Sequence, residues 1–229
     1  MASLSEVRAL AKRISDSIGD LGALVHGAGG ILKRYETVES SSSIERTVAT
    51  NVVGPHLLTA LLQPLLAAGA PSVVVWVSSG GAYLQPLAVD LLRDVPQPYR
   101  GTAVYARAKR AQVALARQWA LRTASQGISG VAMHPGWAAT PALSSGLPKF
   151  AKLSGPVLRT PPQGADTVSW LVAGQAGQRP KVAFWLDRSP RPEHKATFSF
   201  YPPQEEDRLW DWCCELTGAP GRAPREDAP

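Results

Sequence analysis

Ser72-Val73-Val74-Val75-Trp76-Val77-Ser78-Ser79-Gly80-Gly81 is the stretch on which the fold turns. Val73 to Val77 is apolar at every position instead of alternating, which is the pattern of a strand covered on both faces of a parallel sheet. The run stops on four small residues. Two further apolar runs lie outward from it. Gly22-Ala23-Leu24-Val25-His26 breaks at Gly27-Ala28-Gly29-Gly30, and Ile128 to Met133 ends at His134-Pro135-Gly136. Long helices are predicted between them, over 45–68 and 103–124, the second alanine-rich and free of internal Gly or Pro. Strands alternating with helices predict an α/β fold with a doubly wound parallel sheet. In such sheets ligands bind beyond the carboxyl ends of the strands. Three strand ends trimmed to small residues would leave a groove there for a flat or extended ligand.

The flanks complete one domain over residues 1–217. Ser3 and Glu6 have capping-box spacing, and Leu4, Val7, Leu10, Ile14 and Ile18 recur at helical intervals up to Gly19. Residues 141–164 read as a long Pro-, Gly- and Ser-rich loop, and the span from Ala142 to Pro162 suits equally a lid over an apolar carbonyl compound or an ordinary connecting loop. A helix follows over 164–173 and a last strand over 182–186. A tail helix starts at Pro203, with Glu205, Glu206 and Asp207 in its first turn as the dipole prefers. Its stripe is Leu209, Trp212, Cys213 and Leu216, and residues 218–229 read as a disordered tail.

Composition narrows the class. The 229 residues are 45% hydrophobic and 18% charged, enough to build a core and unlike a disordered chain. Two adjacent cysteines, Cys213 and Cys214, exclude a disulfide scaffold, and no Cys/His spacing suits zinc, so no metal site is expected. No secretory start and no membrane-spanning stretch are read, which suggests a soluble, cytoplasmic protein. The net charge is +6, yet no acid occurs between Val95 and Ala165, where nine Lys and Arg residues fall. A positive middle attracts nucleic acid or a phosphate-bearing cofactor, or is simply a solvated face.

The second long helix carries the chemistry. Tyr105 and Lys109 stand at i and i+4 on one face, continued by Ala116 and Ala120. Val104, Ala108, Ala111 and Leu115 form the adjoining apolar stripe, and Arg107, Arg110 and Arg117 lie roughly opposite. A Tyr-x-x-x-Lys pair alone is mostly structural. Its place between a strand ending in Ser-Ser and one ending in Pro-Gly is what makes it informative.

Asn51 in Thr50-Asn51-Val52-Val53-Gly54, Ser79 after an apolar strand, Tyr105-Ala106-Arg107-Ala108-Lys109, and His134-Pro135-Gly136-Trp137 followed by Thr140 resemble, in this order, the short-chain dehydrogenase/reductases. The 26-residue step from Ser79 to Tyr105 and the run Gln163-Gly164-Ala165-Asp166-Thr167 add cues to one branch of that family. The resemblance implies a Rossmann-like sheet, a nicotinamide cofactor (NADP or NAD) and hydride exchange with a small carbonyl or alcohol substrate. By the same resemblance Tyr105 is the acid/base. Lys109, one turn away, would lower the phenol's pKa and bond the nicotinamide ribose. Ser79, preferred to Ser78 as the second of the pair, would hold the carbonyl oxygen, and Asn51 would order a relay water. Pro135, Gly136 and Thr140 would bind the nicotinamide end, and Gly27, Ala28 and Gly29 the adenosine side.

Two departures stand out. Family members usually carry Asn-Asn-Ala-Gly where this chain has His26-Gly27-Ala28-Gly29, and His26 reads as a satisfied core or loop histidine. The Gly-x-Gly-x-x-Gly turn that seats a pyrophosphate is absent, because Leu32 stands where its third glycine would fall. The fold is therefore expected to be N-terminally truncated, with the strand ending at His26 left as a sheet edge. Besides the oxidoreductase, a catalytically inactive truncated isoform is a second reading. It would act as a binding module or homodimer paired through the long helices at Ala116 and Ala120. Nucleic-acid binding through Arg107, Arg110 and Arg117 is a third reading, not adopted since no binding motif accompanies them. A Gly-x-Ser-x-Gly hydrolase is excluded by Val77.

Overall fold

The computed structural model describes residues 1–38, 44–138, 158–174 and 184–219. Among the described residues five strands form one sheet in sequence order: β1 (Ala23–His26), β2 (Ser72–Val77), β3 (Ile128–Met133), β4 (Phe184–Leu186) and β5 (Ser189–Pro190). The first four run parallel, with Ala23 opposite Val73, Ser72 opposite Ile128 and Ala132 opposite Phe184. β5 returns antiparallel through a tight turn in which Asp187 and Arg188 have φ of 54° and 56°. The helices are α1 (Leu4–Ser17), α2 (Arg46–Ala68), α3 (Asp90–Arg93), α4 (Gly101–Thr123), α5 (Pro161–Val172) and α6 (Gln204–Thr217).

The uniform apolarity of β2 has the cause inferred from its sequence, because both faces are covered. Val74 and Trp76 join a core with Leu57, Leu62 and Leu66 of α2, Val104 and Leu115 of α4, and Leu209 and Trp210 of α6. Val73 and Val75 turn the other way, toward Val131, Met133, Trp185 and Leu171 of α5. The sheet is thus wound on both sides, an α/β arrangement. Among the described residues β1 pairs only with β2 and is an edge, where Val25 stays 41% exposed.

Local chemistry sets the helix ends. The Ser3 hydroxyl accepts from the Glu6 amide at 3.4 Å to start α1, and Glu45 accepts from Val48 at 3.0 Å to start α2. Thr160 and Gln163 form a complete capping box at the start of α5. The long helix α4 lies across β3 at Gly130. A Cβ there would sit 2.9 Å from the Ala120 nitrogen and closer still to the Ala116 carbonyl oxygen. Only glycine lets helix and strand backbones come this near.

Several expectations are corrected. Ala116 and Ala120 do not present a free helix-pairing face, since their backbone lies against Gly130 of the sheet. The arginines of α4 are not a solvated basic face either. Residues 193–207 return over them, and Arg110 is fully buried, donating to the carbonyls of Gln85 and Glu193 at 3.1 and 2.7 Å. Arg117 pairs with Glu206 and with Glu193, and Arg122 with Asp207. The acids missing from the middle of the sequence are supplied from its C-terminal part. α2 is also long and apolar enough to cross a membrane, contrary to the reading that no stretch is, but 67% of its most apolar window is buried in the fold. Gly218 and Ala219, assigned to a disordered tail, cap α6: Gly218 adopts φ 58° and Ala219 is buried. The rest of that tail, Thr140, most of the proposed lid and residues 182–183 lie outside the described residues.

Candidate functional site

The carboxyl ends of β1, β2 and β3 and the first turns of α4 converge on one place. Ser78 and Ser79 leave β2 in different directions, which strand alternation alone does not settle. The Ser78 hydroxyl is buried and donates to the Lys109 carbonyl oxygen at 2.7 Å, so it ties β2 to α4. The Ser79 hydroxyl accepts from the Gly81 amide at 3.1 Å and is hydrogen-bonded to the Tyr105 phenol. Ser79 and Tyr105 are therefore brought together as expected, and Ser78 is structural.

Lys109 is 3% exposed, and its ammonium lies 5.4 Å from the centre of the Tyr105 ring. Nζ donates to the Val77 carbonyl at 2.8 Å and to Gln112 Oε1 at 3.1 Å. Burial lowers its pKa to about 7. The Tyr105 pKa moves up from its usual value, because burial outweighs the Ser79 hydrogen bond that pulls it down. This differs from the expected lowering by Lys109. The ammonium is engaged with Val77 and Gln112, and the phenol sits in a desolvated wall. Near neutral pH the Tyr105 proton is accordingly in place, available for donation.

Asn51 enters from α2, within a π-helical segment (Ala49–Val53) of that helix. Such one-turn widenings often occur at functional sites, because they swing one side chain out of register. Its Nδ2 donates to the Thr47 carbonyl at 2.8 Å, and its own carbonyl accepts from Gln112 Nε2 at 2.9 Å. Its Oδ1 is buried without a hydrogen-bond partner among the described residues. Gly29 faces that oxygen: a Cβ at this position would stand 3.2 Å from Lys109 Nζ, 3.4 Å from Asn51 Cγ and nearer still to Oδ1. Gly27 and Ala28 are exposed beside it, and nothing lies within 4 Å of where a Gly27 side chain would begin. Next to this loop is a cleft of about 210 Å³, between Gly30 to Leu32 and Arg46, Thr47, Thr50 and Asn51.

His26 behaves as a core group. Thr59 donates its single hydroxyl proton to the Pro55 carbonyl at 2.9 Å, so His26 Nε2 is the donor to Thr59 Oγ1 at 2.7 Å. The ring packs on Trp76 at 4.6 Å, and burial lowers its pKa to about 3. At the far strand end Gly136 has φ 71°, and a side chain there would strike the Arg159 guanidinium, 2.6 Å from Nε. Arg159 is held by Asp187 at 2.5 and 2.9 Å, which fixes the Pro135-Gly136 corner against the β4–β5 turn. His134 Nδ1 accepts from the Gly136 amide at 3.4 Å, and burial lowers this ring to about 4.

Sequence reasoning missed Gln112 and Arg159. Gln112 was visible in principle, seven residues after Tyr105 and hence on its face of the helix. Arg159 had no local signal.

Residues 1–148 match the family model described as short chain dehydrogenase. The chain is 39% identical over 189 residues to dehydrogenase/reductase SDR family member 12 of Bos taurus, covering 81% of this chain and 58% of that relative's length. Among solved structures, an uncharacterised protein from Mycobacterium paratuberculosis aligns over 96% of this chain and 74% of its own, with a TM-score of 0.65 at 22% identity. The 3-ketoacyl-(acyl-carrier-protein) reductase of Brucella melitensis, solved in complex with NADH, aligns over 77% of this chain and 69% of its own, with a TM-score of 0.57 at 24% identity.

Proposed function

The chain belongs to the short-chain dehydrogenase/reductase family, and from that premise we propose that it carries the catalytic end of an oxidoreductase moving hydride between NAD or NADP and a small carbonyl or alcohol substrate. The observation that carries the reading is the Ser79–Tyr105 hydrogen bond beside Lys109, at strand ends trimmed to small residues. The residues fit the cofactor on two counts. Asn51 Oδ1 is an acceptor with no partner among the described residues, and Gly29 leaves beside it and Lys109 a hollow that any Cβ would fill. Lys109 would bond the nicotinamide ribose, Pro135 and Gly136 would flank the nicotinamide, and Gly27 and Ala28 would line the adenosine side; Gly29, expected with them, stands beside Lys109 and Asn51 and so would meet the ribose end instead. When bound, the cofactor supplies or accepts the hydride.

The protein's own part is proton handling. Ser79 holds the substrate oxygen, and Tyr105, protonated at neutral pH because burial raises its pKa, gives its proton to that oxygen as the alcohol forms. In the reverse direction the phenolate accepts it, and the Ser79 hydrogen bond stabilises that anion. The test is Tyr105→Phe, followed by carbonyl reduction and circular dichroism. Loss of turnover with an unchanged spectrum is expected, and unaltered turnover would remove Tyr105 from the chemistry.

A further inference from the structure

Gln112 is fully buried in the middle of α4, three residues beyond Lys109, and both ends of its amide are engaged. Oε1 accepts from Lys109 Nζ at 3.1 Å, while Nε2 donates to the Asn51 carbonyl at 2.9 Å. The orientation is forced: a backbone carbonyl can only accept and an ammonium can only donate, so a flipped amide would face like against like at both ends. This side chain therefore links two groups that arrive from different helices.

We propose that Gln112 is a positioning residue of the site, clamping Lys109 between the Val77 carbonyl and the Asn51 backbone so that one ammonium hydrogen is left for a ligand on the Gly29 side. Hydrogen counting supports this. A charged lysine has three N–H donors. Two are taken by Val77 O and Gln112 Oε1, and tetrahedral geometry leaves a single direction for the third. The backbone facing Nζ is Gly29, whose absent side chain would begin 3.2 Å away. A neutral amine has only two hydrogens and would have none to offer. The clamp thus couples ligand binding to the charge on Lys109, which burial brings to about 7. The groups facing Nζ are the Tyr105 ring from its own helix, the Val77 carbonyl from β2, the Gln112 amide, and Gly29 beside Asn51. Burial is the cause of the shift, with no charged partner contributing among the described residues.

The inference rests on the catalytic reading above, but its test reads the lysine directly. Protein labelled with ¹³C at lysine Cε is titrated by NMR, with the Lys109 signal assigned by its loss in Lys109→Met. Gln112→Leu, which removes the acceptor, is expected to lower the Lys109 midpoint by about one unit, since a hydrogen bond to a charged group favours the charged form. Gln112→Glu, which puts a carboxylate on the ammonium, is expected to raise it by about one unit or more. If the leucine variant does not fold, the glutamate variant alone decides. A midpoint unmoved in the folded variants overturns the proposal. The pH profile of carbonyl reduction is measured alongside and should move with the midpoint. A midpoint that moves while the rate profile does not leaves Gln112 as the clamp and refutes the catalytic reading instead.

Discussion

Replacing Gly130 by alanine tests the contact that positions the site. The side chain added in β3 would begin 2.9 Å from the Ala120 nitrogen of α4 and nearer to the Ala116 carbonyl oxygen, both backbone atoms unable to rotate away. An ordinary carbon contact needs about 3.5 Å or more, so the helix must lift by at least about half an ångström along a segment packed into the core. Overpacking of this kind typically costs about 1–3 kcal/mol. For a chain of this size each kcal/mol shifts Tm by about 2–4 °C, so a loss of roughly 2–12 °C is expected. Thermal unfolding followed at 222 nm measures it. Gly27→Ala is the control: nothing lies within 4 Å of its new methyl group and φ is not positive, so Tm should hold or rise slightly. Because α4 also carries Tyr105 and Lys109, Gly130→Ala should weaken ligand binding even where the protein stays folded. A Gly130→Ala protein as stable as its parent would refute the close approach of α4 to β3.

Three further outcomes follow from the same geometry. His26 and His56 are held neutral by burial, at about 3 each. Their folded pKa values lie below the unfolded value, so the stability they lend is present above about pH 6.5 and is lost as pH falls toward 3, by up to about 1.4 kcal/mol per pH unit each. Urea midpoints between pH 7 and pH 4 should fall steeply, and less steeply in His56→Leu; an unchanged slope in that variant would contradict the assignment. Glu206 is buried and bonded to Arg117, Gln118 and Tyr201, while Arg117 keeps Glu193 as a second partner, so Glu206→Gln should cost about 1–3 kcal/mol by urea unfolding, and a loss below about 0.5 kcal/mol would show the cluster to be dispensable. Arg107→Ala should leave DNA and RNA retention on filters as low as in the parent, because its α4 neighbours Arg110 and Arg117 are already engaged by the C-terminal segment; salt-sensitive retention in the parent would contradict this.

What the sequence disclosed and what it withheld divide along sequence distance. The β2 run, the α4 face with Tyr105 and Lys109, and the small strand ends are local patterns, readable from periodicity and turn chemistry. The role of Arg110, Arg117 and Arg122 was not, since their partners lie some 80 residues downstream and no pattern within α4 announces Glu193, Glu206 or Asp207. Ala116 and Ala120 looked like a face for a second helix, because small residues permit any close neighbour. The neighbour proved to be Gly130. Asn51 could be picked out by type, but not the π-helical turn that sets its register, which has no composition of its own. The direction of the Tyr105 shift was misjudged for a related reason. Helical spacing puts a cation near the phenol, but it does not show how deeply the ring is buried or that Val77 and Gln112 already hold the ammonium.

The most direct measurement concerns the nicotinamide end of the site in isolation. Nicotinamide mononucleotide carries the ring and its ribose without the adenosine half, and so makes no call on a pyrophosphate-seating turn. Titrated into ¹⁵N-labelled protein, it should shift the backbone amides of Gly29, Ser79 and Gly136 together with the side chain of Lys109, and do so much less in Lys109→Met. Saturating nucleotide that leaves these signals in place, or shifts them equally in both proteins, would contradict a nicotinamide site built on Tyr105 and Lys109.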